Sequence, residues 1–88
     1  MIVFDPDKDA ANIAKHGVSL ARAGDMVLEE AVIIPDDRRD YGEPRFRAFG
    51  SIDNAAHCLV FTIRQDRIRA ISLRRAHLKE MKRHVSRP

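Results

Sequence analysis

Apolar and polar residues in the first third of the chain alternate at helical spacing. A short apolar start over residues 2–4 predicts a strand. Asp5 and Pro6 then supply an N-cap and a proline at the first helical position, and Gly17 suits the left-handed residue that ends many helices. Ser19 is the N-cap candidate of a second helix, which should end near Glu29 or Glu30. Four residues of this helix form its apolar stripe: Leu20, Ala23, Met26 and Val27.

The rest of the chain has the spacing of strands, followed by one more helix. The pattern predicts strands over 31–34, 45–52, 56–64 and 67–74, and a helix from Arg75 to about Val85 with an apolar stripe of Leu78, Met81 and Val85. Two-residue turns at Asp53-Asn54 and Gln65-Asp66 are too short for parallel crossovers. The run 56–64 is apolar on both faces, which is typical of a central strand. The order β-α-α-β-β-β-β-α predicts one α+β domain over residues 1–88, with a mostly antiparallel sheet packed against the helices.

Charge divides the chain into an acidic and a basic half. Residues 1–44 hold five Lys/Arg against ten Asp/Glu, a net charge of −5, and residues 45–88 hold eleven against three, a net charge of +8. The basic residues interleave with strand formers over 64–75, so the folded sheet should present a positive surface that attracts nucleic acid. A soluble domain with scattered basic residues is the alternative. The lone cysteine, Cys58, excludes an internal disulfide and is expected to be buried. No apolar run approaches ~18 residues, so we expect a cytoplasmic protein.

Several segments together resemble the BrnT family of bacterial type II toxins. The similarity spans nearly the whole chain and lies in Phe4-Asp5-Pro6-Asp7-Lys8, Asn12, Lys15-His16-Gly17-Val18-Ser19, Asp40-Tyr41-Gly42-Glu43-Pro44-Arg45, Gly50, Thr62-Ile63-Arg64, Arg69-Ala70-Ile71-Ser72-Leu73-Arg74, Ala76 and Glu80. The resemblance implies a RelE-like fold and a ribonuclease that inhibits translation. It also implies a BrnA-type antitoxin that neutralises the toxin and binds operator DNA with it. Because ribbon-helix-helix antitoxins dimerise, a two-plus-two assembly is expected.

RNA cleavage without a metal requires a base, cations that stabilise the charge on phosphorus, and an acid. The candidate catalytic residues are Arg64, Arg74, His77, Glu80 and His84. The two arginines suit a bidentate grip on phosphate, although they fall at opposite ends of the last hairpin, and they are alternatively exposed sheet arginines. On a helix from 75 onward, the carboxylate and the two imidazoles share an arc of about 60°. That arc is an acid/base set or, alternatively, a solvated helix face. No metal or cofactor is expected.

Other basic residues are candidates for contact with RNA. They are Lys15, His16, Arg45, Arg69, Lys79 and Arg83. Lys15 and His16 are equally explained as cations at a helix C-terminus. Glu43, in a predicted turn, is a further candidate base. An RNA-cleaving toxin, an endoribonuclease, is therefore the leading hypothesis, and a non-catalytic nucleic-acid-binding or protein-interaction module is the alternative.

Overall fold

The structure, a computed structural model, describes residues 2–84, apart from the side chains of Leu78, Arg83 and His84. Its elements in chain order are β1 (Ile2–Val3), α1 (Pro6–His16), two 3₁₀ helices (Leu20–Asp25 and Leu28–Glu30), β2 (Val32–Pro35), β3 (Phe46–Ile52), β4 (Ala55–Arg64), β5 (Arg67–Arg75) and α2 (Leu78–His84). The predicted strand ends each lie within one residue of those observed. Val85, to which the last helix was predicted to extend, lies outside the described residues.

Five strands form one mixed sheet in the order β1-β5-β4-β3-β2. All neighbours are antiparallel except β1 and β5, which confirms the prediction of a mostly antiparallel α+β sheet with 56–64 beside 67–74. Both hairpins use two-residue turns, and all four turn residues have φ between 52° and 63°. Positive φ at both positions is the type I′ geometry, whose twist matches that of the paired strands.

The hydrophobic core lies between the first 3₁₀ helix (Leu20–Asp25) and one face of the sheet. It is formed by Leu20, Ala23, Met26, Ala48, Ile52, Leu59, Phe61, Ala70 and Leu73. The central strand β4 contributes Leu59 and Phe61 to this face, and the alternate residues Cys58, Val60 and Thr62 are buried on the opposite face. The prediction of a central strand that is covered on both sides is therefore confirmed, as is the burial of Cys58.

The segment after Ser19 is not the α-helix that the stripe predicted. It forms two 3₁₀ helices, with the Ser19 cap in place because the Ala21 N–H donates to Ser19 Oγ at 3.1 Å. Leu20, Ala23 and Met26 are buried at a spacing of three residues, which suits the 3.0 residues per turn of a 3₁₀ helix. Val27, placed on the stripe by α-helical spacing, is instead 45% exposed.

Helix α1 has the predicted ends and completes the edge of β5. The Asp7 N–H donates to Asp5 Oδ1 at 2.8 Å, and Gly17 adopts φ 74° at the C-cap. The buried Asn12 accepts from the Leu73 N–H at 3.1 Å and donates to the Leu73 carbonyl at 2.8 Å. Its side-chain amide thus replaces a neighbouring strand where β1 has already ended, and it fixes α1 against the sheet.

Helix α2 begins three residues later than predicted. Arg75 is the last residue of β5, where it pairs with His57, and the Ala76 N–H donates to the Ala56 carbonyl at 3.0 Å. His77 therefore precedes the helix. The prediction that His77, Glu80 and His84 lie on one arc of the same helix is wrong for His77.

Candidate functional site

Arginines from three strands lie on the sheet face opposite the core. Residues that pair across two strands point to the same face of the sheet. Arg47 pairs with Val60 and Arg69 pairs with Thr62, and both β4 residues are buried on the face away from the core. We call this surface the arginine face, and it consists of Arg47, Arg64, Arg67, Arg69 and Arg74. Charges held on a rigid sheet produce a positive potential of fixed shape, which favours polyanions.

A β-bulge in β5 brings two of these arginines to the same side. Along a regular strand, residues five apart such as Arg69 and Arg74 point to opposite faces. The pairing passes from Val60–Ser72 directly to Phe61–Ala70, so Ile71 is an extra residue without a partner in β4. The bulge restores the phase, and both arginines lie on the arginine face. The sequence carries no clear signal for this bulge, since the strand pattern continues through it.

One end of the arginine face surrounds the buried thiol of Cys58. Burial raises the pKa of this thiol, and the charges of Arg74, Glu80, Arg47 and Arg38 also act on it. Three guanidinium groups and one carboxylate therefore contribute to the electrostatic potential at this point of the sheet. The thiol itself is 1% exposed and stays neutral, so it contributes packing rather than chemistry.

Arg74 is held in place by a bidentate ion pair with Glu80. The distances are 2.8 Å from Arg74 Nη1 to Glu80 Oε1 and 2.7 Å from Nη2 to Oε2. Glu80 also accepts from the His77 backbone N–H at 2.9 Å, which places His77 at the N-cap and Glu80 at the third position of α2. The Arg74 guanidinium above all, and then the His77 N–H, lower the pKa of Glu80 to about 2. This carboxylate is therefore ionised and a weak base near neutrality.

A buried carboxylate in the loop between β2 and β3 holds a further arginine. The Asp36 side chain is completely buried, accepts from Arg38 at 2.7 and 2.9 Å, and accepts from Tyr41 Oη at 3.2 Å. The Arg38 hydrogen bonds lower the pKa of Asp36 to about 2. The sequence did not indicate this pair, because a buried Asp–Arg pair has no periodic signature.

The same loop neutralises the arginine at the far end of β4. Arg64 donates to Glu43 Oε1 from Nη2 at 2.5 Å and from Nε at 3.2 Å, and these contacts lower the pKa of Glu43. Arg45 reaches the other oxygen of Glu43 at 3.4 Å and lies over the Tyr41 ring at 4.0 Å. Glu43, a candidate base, is thus paired with two arginines. Next to Glu43, Gly42 has φ 71°, a conformation that glycine adopts readily in turns.

The structure groups the candidate site residues into two sets. Arg74, Glu80 and the backbone of His77 form one set. Arg64 belongs to the other, because it lies six residues along β4 from Cys58, the residue that pairs with Arg74. This spacing separates Arg64 from Arg74 by about 20 Å along the strand. His16 is close enough to Arg74 for that charge to act on it. Burial, then Lys15 and then Arg74 lower the pKa of its imidazole. Lys15 and Lys79 are exposed. The side chains of Arg83 and His84 lie outside the description.

Two arginines on this face have buried nitrogens without a hydrogen-bond partner. They are Arg47 Nε and Arg69 Nε, and neither side chain forms an ion pair with another described residue. Buried donors that lack a partner are rare in folded proteins and require an explanation such as a ligand site. Arg47 was not among the candidates from the sequence. Over residues 2–84, no group of three or more His, Cys, Asp or Glu side chains is arranged to hold a metal ion.

An α+β protein with one sheet face lined by arginines is suited to bind polyanions. The family model described as ribonuclease toxin, BrnT, of type II toxin–antitoxin system matches residues 4–80. The chain therefore belongs to this family of ribonuclease toxins, as the resemblance predicted. Among curated proteins, none matches the sequence. In the part of the chain that the structure describes, no helix is both long and apolar enough to cross a membrane.

Proposed function

We propose that this protein is a metal-independent endoribonuclease of RelE-like architecture, one domain over residues 1–88, that inhibits translation in the cytoplasm. The observation that carries the proposal is Arg74, which Glu80 holds at one end of the arginine face beside the start of α2. Arg47 lies on the same face, and the charge of Arg38 also acts on Arg74. Two of these guanidiniums are oriented by carboxylates, and the third, Arg47, has no carboxylate partner among the described residues. Arginines fixed in advance stabilise charge that develops on a phosphate without reorganising during the reaction.

The proposed reaction is attack of the 2′-hydroxyl on the adjacent phosphorus, with departure of the 5′ oxygen. Arg74 and Arg47 stabilise the negative charge on the phosphoryl oxygens. Proton transfer is assigned to the imidazoles of His77 and His84, because histidine is the side chain that most often acts as a general acid or base. Glu80 contributes by holding Arg74, because a carboxylate with a pKa of about 2 that already accepts three hydrogen bonds is a poor base. Arg64 lies too far along β4 for the same phosphate, so its contact is with another part of the RNA.

The remaining basic candidates are proposed to contact the RNA backbone. They are Lys15, His16, Arg45, Arg69, Lys79 and Arg83. His16 and Lys15 line a cleft with Ser72 of β5, so the end of α1 adjoins the strand that carries Arg69 and Arg74. Phosphate contacts of this kind position the RNA without reading its sequence.

The family implies an antitoxin partner. We propose that the partner is a BrnA-type ribbon-helix-helix protein in a two-plus-two assembly, which binds operator DNA through the antitoxin. Covering the arginine face would prevent RNA from reaching Arg74. A stable complex normally buries at least about 1,200 Å² in total, so apolar surface must contribute as well as charge.

The test is cleavage of a single-stranded RNA by the purified protein in the presence of EDTA. Wild-type protein should give internal cleavage with 2′,3′-cyclic phosphate ends. Arg74→Ala should lower the rate by about a hundredfold or more, as the loss of one transition-state contact does. Arg75→Ala is the matched control, because this arginine follows directly in β5 and lies on the other face beside His57. RNA binding without any cleavage by the wild-type protein would favour the non-catalytic binding module and refute the proposal.

A further inference from the structure

Two adjoining clefts lie at the closed end of the β4–β5 hairpin, far from the cluster around Cys58. The larger has a volume of about 580 Å³, and Arg64, Arg67 and Arg69 are among the residues that line it. Among residues 2–84, no acidic side chain lines this cleft. The smaller, of about 120 Å³, shares Arg64 and Arg69 with the first, and its other charged lining residues are Lys8, Asp5 and Glu43. The larger cleft therefore concentrates positive charge on the arginine face.

The cations of this cleft differ in how far they are already neutralised. Arg64 is paired with Glu43. Arg67 is exposed and, within residues 2–84, has no acidic partner. The buried Nε of Arg69 has no hydrogen-bond partner among the described residues. A guanidinium group carries five N–H donors in a fixed fork, which matches the oxygens of a phosphate group. An anion in this cleft would give Arg67 a counterion that no acidic residue within 2–84 supplies, and it would lie beside Arg69, which forms no ion pair with a described residue.

Distance along the sheet separates this cleft from the proposed scissile phosphate. Arg69 pairs with Thr62, four β4 residues from Cys58, and Arg74 pairs with Cys58, an offset of about 13 Å along the strand. A single phosphate group therefore cannot contact both arginines where the sheet holds them. The two ends of the face can instead hold two different phosphates of one strand, because the bulge at Ile71 points both arginines to the same side.

We propose that Arg67 and Arg69, with Arg64 released from Glu43, form a second phosphate subsite for an RNA backbone that runs along β5. This inference rests on the proposed ribonuclease function. The subsite takes a phosphate of a nucleotide that flanks the cleaved step, and it contributes binding to the ground state and to the transition state alike. Loss of such uniform binding raises KM and leaves kcat unchanged.

The experiment compares two single-stranded RNAs that contain the same cleaved step. One is the shortest RNA that wild-type protein cleaves, and the other is extended by several nucleotides on both sides. Arg67→Ala should raise KM for the extended RNA by about tenfold, with kcat unchanged, and should leave the short RNA unaffected. Arg69→Ala should raise KM for the extended RNA by a similar factor. For the extended RNA, each variant should also flatten the plot of log affinity against log salt by about the 0.7 expected for one phosphate on a single strand. Arg75→Ala serves as the control arginine on the opposite face.

The outcomes separate this subsite from the function on which it rests. If wild-type protein cleaves both RNAs and Arg67→Ala and Arg69→Ala match it on both, the subsite is refuted while the ribonuclease stands. A fall in kcat on both RNAs would place these arginines at the scissile phosphate and also refute the subsite. If the variants weaken antitoxin binding but not cleavage, the cleft is a protein-docking surface and the subsite is refuted. No cleavage by the wild-type protein would overturn both proposals. Because Arg67 is exposed, its truncation leaves the fold intact and keeps the test decisive.

Discussion

Substitution of Glu80 by glutamine distinguishes a positioning carboxylate from a catalytic base. The Glu80→Gln change keeps the shape of the side chain but removes the charge that holds Arg74 through two hydrogen bonds. The gap between the ordinary glutamate pKa of 4.5 and about 2 corresponds to about 3 kcal/mol in favour of the ionised form in the folded protein. Because the side chains of Glu80 and Arg74 are still 25% and 27% exposed, solvent screening reduces this figure, and we expect a loss of about 1–2 kcal/mol in the free energy of unfolding at pH 7.

The pH dependence of this loss follows from the sign of the shift. Folding lowers the pKa of Glu80, so the unfolded chain binds more protons at acidic pH. The stabilisation is complete above about pH 5 and is lost as the pH falls towards 2. Urea unfolding of wild type and Glu80→Gln should therefore show the full difference at pH 7 and almost none at pH 2. A difference that stays constant over this range would refute the assignment of a low pKa to Glu80.

Cleavage kinetics of the same variant test the role of Glu80 in the proposed reaction. If it positions Arg74, Glu80→Gln should lower kcat by about tenfold, less than Arg74→Ala, and the pH–rate profile should keep its shape. Arg74→Ala combined with Glu80→Gln should then be no slower than Arg74→Ala alone, because the carboxylate acts through the arginine. Complete loss of cleavage by a folded Glu80→Gln, with disappearance of the acid limb of the profile, would show that Glu80 is the base and refute this reasoning.

Three further predictions concern stability and assembly. Asn12→Ala removes both partners of the Leu73 backbone and should lower the free energy of unfolding by about 2–4 kcal/mol in urea titrations; a loss below about 1 kcal/mol would contradict this. Gly50→Ala should lower it by about 1–3 kcal/mol, because the new Cβ would lie 3.1 Å from Met26 Cγ, whereas the control Gly24→Ala adds a Cβ with nothing within 4 Å. Equal effects of the two substitutions would contradict that reasoning. The antitoxin complex should survive moderate salt in size-exclusion chromatography while RNA binding weakens steeply, and parallel loss of both would contradict an apolar contribution to the interface.

Local chemistry explains which parts of the fold were predictable. The Asp5 cap, the Gly17 C-cap and the two type I′ turns depend on a few adjacent residues, and each is found where the sequence placed it. The prediction of an α-helix after Ser19 was wrong about the type of helix. The spacing of Leu20, Ala23 and Met26 fits a 3₁₀ helix as well as an α-helix, and only packing decides between them. The early start predicted for α2 has a similar cause. Arg75 suits a helix or a strand, and its pairing with His57, eighteen residues earlier in the chain, settles the choice.

In the candidate site, too, the residue types were predictable from the sequence, whereas their arrangement depends on strand pairing. The sequence supplied the charge and the arginines, but whether Arg69 and Arg74 lie on the same surface depends on a single residue, Ile71. Under strict alternation, Arg69 would point into the core if Arg74 pointed to the solvent. The bulge is a property of the pairing with β4, and no composition or periodicity of β5 alone reveals it. The partners of Asp36 lie only two and five residues away, yet the sequence does not show that this carboxylate is buried. A continuous track for a polyanion is therefore a feature of strand register, and it exists only in the folded sheet.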